Sequence, residues 1–268
     1  MPNFDGLPTL LGVPFDEASS FQRGPAAAPP AIRAALRTDA SNMWSESLVD
    51  IGAPGMFGDA GDADLTGDPR AAITAAVARV MARGGRPVVL GGDHAITWPV
   101  VRAVRAHHPR LSILHFDAHN DLYDHFEGDR GSHACPFARI MEEGLADELV
   151  QVGIRAMTGH QRDQADRFGV DVIDMRRWTS GVRPTLQHSV YISLDLDALD
   201  PAFAPGVSHR EPGGLSVREV LSVLQDLRVP IVGADLVEYN PLRDLDGVTA
   251  NVAGKLLKEM LAAMQVVR

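Results

Sequence analysis

Residues 111–121 read LSILHFDAHND, a mostly apolar run that leads straight into Asp117, His119 and Asp121 at alternate positions. A short run of this kind is the pattern of a parallel strand covered on both faces. Two other runs end in the same way. PVVL (87–90) leads into Gly91-Gly92-Asp93-His94, and HSVYISL (188–194) leads into Asp195-Leu196-Asp197. ELVQVGI (148–154), VDVI (170–173) and PIVGADL (230–236) are further candidate strands. Helix signals lie between them. Asp68-Pro69 offers an N-cap and a first-turn proline ahead of AAITAAVARVMA, and Ser216-Val217-Arg218-Glu219 is a capping box. A last helix runs from about Asp246 through VTANVAGKLLKEMLAAM. Strands alternating with helices predict an α/β chain, a single three-layer α/β/α domain over 1–268 with a mainly parallel central sheet. The Gly-, Pro- and Asp-rich stretches 53–68 and 198–214 read as loops within it.

Composition agrees with a globular chain. Of 268 residues, 45 % are hydrophobic and 22 % charged, which excludes wholesale disorder. There are 25 Lys+Arg against 35 Asp+Glu, a formal charge of −10. That balance argues against nucleic acid, whose phosphates attract clustered cations. It suits cationic ligands and metal ions. The single cysteine, Cys135, cannot form an internal disulfide and fits a reducing compartment. The first residues carry no basic leader, and no run approaches the roughly 20 apolar residues needed to span a bilayer. The expectation is a cytoplasmic protein without a membrane partner.

The acids and imidazoles concentrate where the strands end. Open parallel sheets bind ligands at that edge. In extended backbone, alternate residues point to one side, so Asp117, His119 and Asp121 can converge, as can Asp195 and Asp197. With His94 the set comprises four carboxylates and two imidazoles, too much negative charge for one place without cations. Two divalent metals supply the compensation and suit hydrolytic chemistry. Each motif alone has a plainer reading, as a turn, an N-cap or a solvated loop. Three such motifs, each after a buried-type strand, favour a site. The donors are hard and include no thiolate, which suits Mn²⁺ and leaves Ni²⁺, Co²⁺, Fe²⁺ and Zn²⁺ open.

The three blocks GGDHAIT (91–97), FDAHNDLYD (116–124) and SLDLDALDPAFAPG (193–206) resemble the signatures of the ureohydrolase superfamily, the arginases and agmatinases. GVPFDEASSFQRGPAAAPPAIRAAL (12–36) is similar to the family's opening strand, loop and helix, and ADLVEYNP (234–241) to its Glu-x-Asn-Pro segment. The resemblance spans about the whole chain and implies a binuclear Mn²⁺ site, two ions per subunit, with a hydroxide between them. It implies His94, Asp117, Asp121 and Asp195 as ligands of one ion and Asp117, His119, Asp195 and Asp197 of the other. It also implies catalytic roles for His133, Glu238 and Asp121: Glu238 grips the guanidinium, and His133 protonates the leaving amine. Asp93 reads as structural, and His107, His108, His115, His125, His160, His188 and His209 as surface or packing histidines. Family members are commonly trimers or hexamers, so a homotrimer or homohexamer is expected.

The resemblance implies hydrolysis of a small cationic guanidino substrate to urea and an amine. The segments by which arginases hold the α-amino and α-carboxylate groups are absent here. Asp121-Leu122-Tyr123 stands at the first place, and Ala-Met-Thr-Gly-His follows Gly153-Ile154-Arg155 at the second. Agmatine is therefore the leading expectation, with Asp124, Glu127 and Asp129 forming an acidic pocket rim that steers its second cation. A guanidino acid such as guanidinobutyrate or guanidinopropionate would instead use Arg130, Arg155 or Arg210, and arginine is the remaining ureohydrolase substrate. Two readings from other classes stand beside these: a one-zinc deacetylase, which would keep fewer carboxylates, and a catalytically silent family member acting as a regulatory or binding subunit.

Overall fold

The computed structural model describes residues 3–266, so the two residues at each end of the 1–268 expectation lie outside the described residues. Eight strands form one sheet: β1 (Pro8–Gly12), β2 (Gly58–Asp62), β3 (Arg86–Leu90), β4 (Ser112–Phe116), β5 (Glu148–Ile154), β6 (Asp171–Asp174), β7 (Val190–Asp195) and β8 (Ile231–Val237). Their order is β2-β1-β3-β8-β7-β4-β5-β6, and every pairing is parallel. Eight α-helices cross over between and after them: α1 (Ala28–Leu36), α2 (Pro69–Ala82), α3 (Thr97–Arg105), α4 (Pro136–Glu142), α5 (Gly159–Phe168), α6 (Met175–Thr179), α7 (Val217–Asp226) and α8 (Val248–Val266).

Two hydrophobic cores confirm the three layers, one on each face of the sheet. Ile32 of α1, Trp178 of α6, Leu221 of α7 and Leu257 of α8 share a core with Leu90, Phe116 and Leu194. Val77 of α2, Val100 of α3, Phe137 of α4 and Ala165 of α5 share the other with Val89, Ile113 and Tyr191. Every residue of β1, β4, β7 and β8 is buried, which is why the segments of β4, β7 and β8 read as mostly apolar runs. No helix among the described residues is long and apolar enough to cross a membrane.

Local chemistry explains the starts of the helices. Asp68 accepts from the Arg70 amide ahead of Pro69, and Ser216 and Glu219 form a reciprocal capping box. Two strand assignments differ from expectation. The segment 53–68 contains β2, whose GDAGD sequence has no large apolar residue because it is an exposed edge strand paired only to β1. The opening strand, looked for from residue 12 onward, lies at Pro8–Gly12 instead.

Register sets the site. Leu90, Leu236, Leu194 and Phe116 lie on one row across β3, β8, β7 and β4. The residues that follow them emerge side by side from four neighbouring strands at the centre of the sheet. This is the carboxyl edge where β3 and β4, consecutive in the chain, are separated by the later β7 and β8.

Candidate metal centre

The chain after β4 turns sharply, and Asp121 is held at φ +49°. Aspartate tolerates this left-handed region better than most residues. His94 follows β3 in a short 3₁₀ turn capped by Asp93, whose Oδ1 accepts from the Ala95 amide. Gly92 has no room for a Cβ, because the Phe15 backbone packs directly against it. Asp93 Oδ2 accepts from the Ala18 amide and the Ser19 hydroxyl, so the carboxylate ties the 13–24 loop to the end of β3. Burial pushes Asp93 up to about 7.

The six donors converge. His94 Nδ1 lies 3.1 Å from Asp117 Oδ2, 3.1 Å from Asp121 Oδ2 and 3.2 Å from Asp195 Oδ2. His119 Nδ1 lies 3.3 Å from Asp117 Oδ1 and 3.0 Å from Asp197 Oδ2. Asp117 therefore faces both imidazoles, one through each oxygen. The Asp197 amide donates to Asp195 Oδ1 at 2.7 Å and the His119 amide to Asp117 Oδ1 at 2.6 Å.

Burial sharpens the electrostatics. Asp121 is pushed up to about 6 by burial and then by Asp117. Burial also raises Asp195, with Asp197 and Asp117 adding repulsion, and raises Asp197, with Asp117 adding to it. Asp117 is the exception. Burial would raise it, but the imidazoles of His115, His119 and His94 around it outweigh that and hold it well below the carboxylate range. In the same way burial would lower His94 and His119, while the surrounding carboxylates raise both. Without bound cations the cluster keeps protons at neutral pH, the behaviour of a site whose counter-charge is elsewhere.

A divalent cation fits these residues. His94 Nδ1 is fully buried and meets three carboxylate oxygens, none of them in hydrogen-bond geometry. Its other nitrogen, Nε2, lies 3.0 Å from the Ser193 hydroxyl, which donates to Asp235 Oδ1 at 2.7 Å. Thr97 and Tyr191 donate to Asp235 Oδ2. With Ser193's proton committed to Asp235, Ser193 accepts from Nε2, so Nδ1 is the nitrogen that would give up its proton and offer its lone pair to a cation, the arrangement around metal-bound histidines. Two groups with metal-ligand spacing occur among the described residues, His94/His115/Asp117 and Asp117/His119/Asp197.

A cavity of about 160 Å³ opens beside the cluster, lined by Ser20, His119, Asp121, Tyr123, Phe126, His133, Gln161 and His209 among others. His133 Nε2 is 2.9 Å from the Ser20 hydroxyl, and its Nδ1 is 3.7 Å from Glu238 Oε1. Burial first, then nearby His209, pushes His133 down to about 3, so its ring is neutral. Glu238 is buried at φ +61°, a strained conformation for glutamate, and its Oε1 accepts from the His94 amide at 2.9 Å. Burial and Asp93 raise it well above the carboxylate range, and among the described residues no Lys or Arg pairs with it.

Sequence reasoning missed two histidines. His115 is completely buried, and its Nε2 lies 2.9 Å from Asp117 Oδ2. Burial lowers it to about 4, so it is a neutral donor to that carboxylate. Its strand position, two residues before Asp117, was the available signal. His209 stacks on His133 with ring centroids 5.2 Å apart, and only the loop's path brings it there. The acidic rim also differs. Asp124 is paired with Arg130 and Arg139, Asp129 lies 4.0 Å from Arg70, and Glu127 is exposed; none of the three lines the cavity. The arginines assigned to a guanidino acid are engaged too. Arg155 donates to the carbonyls of Gly153, Asp197, Ala198, Leu199 and Glu211, Arg210 to those of Pro205 and Arg243, and Arg130 pairs with Asp124 and Glu142.

A parallel α/β sheet with Asp/His clusters at three central strand ends and a buried glutamate at a fourth defines a hydrolase of the metal-dependent amidinohydrolase class. Comparison with known proteins agrees: residues 8–263 match the model of the arginase family, and the chain belongs to that family. It is 48 % identical to the mitochondrial arginase of Medicago truncatula over 96 % of this chain and 81 % of that protein. A solved arginase structure from Medicago truncatula superposes with a TM-score of 0.91 at 46 % identity, covering 97 % of this chain and 88 % of that one. Guanidinopropionase of Pseudomonas aeruginosa is more distant, 34 % identical over 98 % of this chain and 93 % of that protein. A solved structure of a hypothetical agmatinase from Burkholderia thailandensis is 30 % identical with a TM-score of 0.85, covering 98 % of this chain and 87 % of that one, so the plant arginase stands nearer and the sequence expectation of an agmatinase is not confirmed.

Proposed function

We propose that the chain is an arginase that hydrolyses L-arginine to urea and ornithine, with Mn²⁺ as its metal. The observation that carries the choice of substrate is the charge of the cavity mouth. Agmatine's second cation would want a carboxylate there, and a guanidino acid would want a cation. Away from the cluster the lining consists of uncharged Ser20, Tyr123, Phe126 and Gln161 with His209, which burial holds below the ordinary imidazole range; Asp124, Asp129 and the arginines nearby are engaged elsewhere, and the Glu211 carboxylate lies 3.8 Å from His119 Nε2. A net-neutral zwitterionic head group matches such a mouth. The similarity to arginases points the same way.

In this reading His94, Asp117, Asp121 and Asp195 hold one ion and Asp117, His119, Asp195 and Asp197 the other. When bound, the divalent pair neutralises the four acids and brings the pKa of water from about 15.7 towards 7. The carboxylate- and imidazole-rich donor set, without a thiolate, favours Mn²⁺. Glu238 is a buried acid with no cationic side chain beside it, so a guanidinium completes its charge and is oriented by a paired hydrogen bond. His133, held neutral and fixed by Ser20, takes up a proton on the ring and returns it to the leaving amine. Asp121 shapes the cavity wall between the two.

Urea release from Mn²⁺-loaded protein tests the choice among arginine, agmatine, 4-guanidinobutyrate and 3-guanidinopropionate. The highest kcat/KM is expected for arginine. Faster turnover of agmatine or of a guanidino acid would overturn the substrate, and no urea from any of the four would overturn the guanidino chemistry.

A further inference from the structure

Beneath the metal centre lies a buried hydrogen-bond circuit that the proposed chemistry does not use. Gln151, on β5, is fully buried and bears no charge. Its Nε2 lies 3.0 Å from His115 Nδ1 and 2.7 Å from the Asn120 carbonyl oxygen. Its Oε1 accepts from Asn120 Nδ2 at 2.7 Å, which fixes the orientation of the amide. His115 Nδ1 is then an acceptor, so the ring proton sits on Nε2 and points at Asp117 Oδ2, 2.9 Å away. The His115 ring is clamped by stacking on Phe137, with centroids 3.9 Å apart, and Phe137 meets His94 edge-on at 5.3 Å.

We propose that Gln151 is a positioning residue for the metal centre, acting through His115 on Asp117 and through Asn120 on the turn that carries His119 and Asp121. The inference rests on Asp117 being the shared ligand. Gln151 touches no donor of the cluster directly. It sets which His115 nitrogen carries the proton, and so whether Asp117 Oδ2 receives a hydrogen bond or meets a lone pair. The same amide binds both the side chain and the carbonyl of Asn120, the residue between His119 and Asp121. One neutral side chain on the neighbouring strand thereby holds both ends of the Asp-x-His-x-Asp segment. His115 is not itself a ligand in this arrangement, since Nε2 is a donor to Asp117 and Nδ1 faces Gln151.

Mn²⁺ binding to wild type and to Gln151→Met, a substitution of similar length, gives the first test, read as stoichiometry and dissociation constants by calorimetry. Loss of supporting partners of this kind typically weakens metal affinity about 10- to 100-fold. That loss is expected for Gln151→Met, with two ions still bound by wild type. Unchanged affinity in a folded Gln151→Met would overturn the positioning role. Failure of wild type to bind two ions would instead overturn the ligand assignment beneath it. The second measurement needs no variant: a long-range ¹⁵N–¹H spectrum of wild type loaded with diamagnetic Zn²⁺. It should show His115 protonated on Nε2 and bare on Nδ1. A proton on Nδ1, or Nε2 bound to the metal, would overturn the proposal whether or not the variant folds.

Discussion

Asp121→Asn should abolish binding at one metal position and yet stabilise the metal-free protein. Asparagine is nearly isosteric and tolerates the positive φ of +49° that Asp121 adopts. The carboxylate's pKa is raised from 3.8 to about 6 by burial and by Asp117. Between those values the folded metal-free protein binds more protons than the unfolded chain, so its stability falls as pH rises through that window. Below about pH 4 the side chain is neutral in both states and costs nothing. Above about pH 6 the charged form carries the whole penalty: roughly 2 pKa units at 1.36 kcal/mol each, about 3 kcal/mol. The neutral amide escapes it. Urea denaturation in EDTA at pH 7.5 should find Asp121→Asn about 3 kcal/mol more stable than wild type, and the gap should close near pH 4. With excess Mn²⁺ the order should reverse, because only wild type gains the linkage free energy of both ions. A variant that is less stable than wild type in EDTA, or a gap that does not change with pH, would refute the reasoning.

Glu238→Gln keeps an acceptor for the His94 amide but loses the charge opposite the guanidinium. A hydrogen bond to a charged group contributes about 1.5–3 kcal/mol, so kcat/KM should fall roughly 10- to 150-fold with metal content unchanged by elemental analysis. Phe116→Ala removes a fully buried ring from the row of side chains just beneath the site. It should cost about 3–5 kcal/mol in denaturant-unfolding stability.

Much of the architecture was legible because burial on both faces leaves a plain signature. The runs at β3, β4, β7 and β8 are mostly apolar and almost wholly buried, and each ends where polar ligand-type residues begin. β2 left no such signature, since an edge strand of Gly, Asp and Ala buries little. Five of the six clustered donors were readable from Asp and His at alternate positions and His94 from its own motif; the structure brings all six together, through a sharp turn at Asp121 and a 3₁₀ turn over Leu196–Ala198 rather than through extended chain. The supporting residues were less accessible. His115, Gln151, Ser193 and Asp235 resemble ordinary strand residues in one dimension, and only the register between strands puts them against one another. The acidic rim was misplaced for a related reason. Charges close in sequence to a site are paired by arginines that only the fold brings to them, as Asp129 is approached by Arg70 of α2 and Asp124 by Arg130 and Arg139.

The number of divalent ions the chain binds, and the acid they share, decide whether the six donors form a binuclear centre. Elemental analysis of Mn²⁺-reconstituted protein should give two ions per chain for wild type. Asp117→Asn, at the carboxylate that faces both His94 and His119, should lose at least one of them. Two full equivalents retained by Asp117→Asn, or fewer than two in wild type, would contradict such a centre.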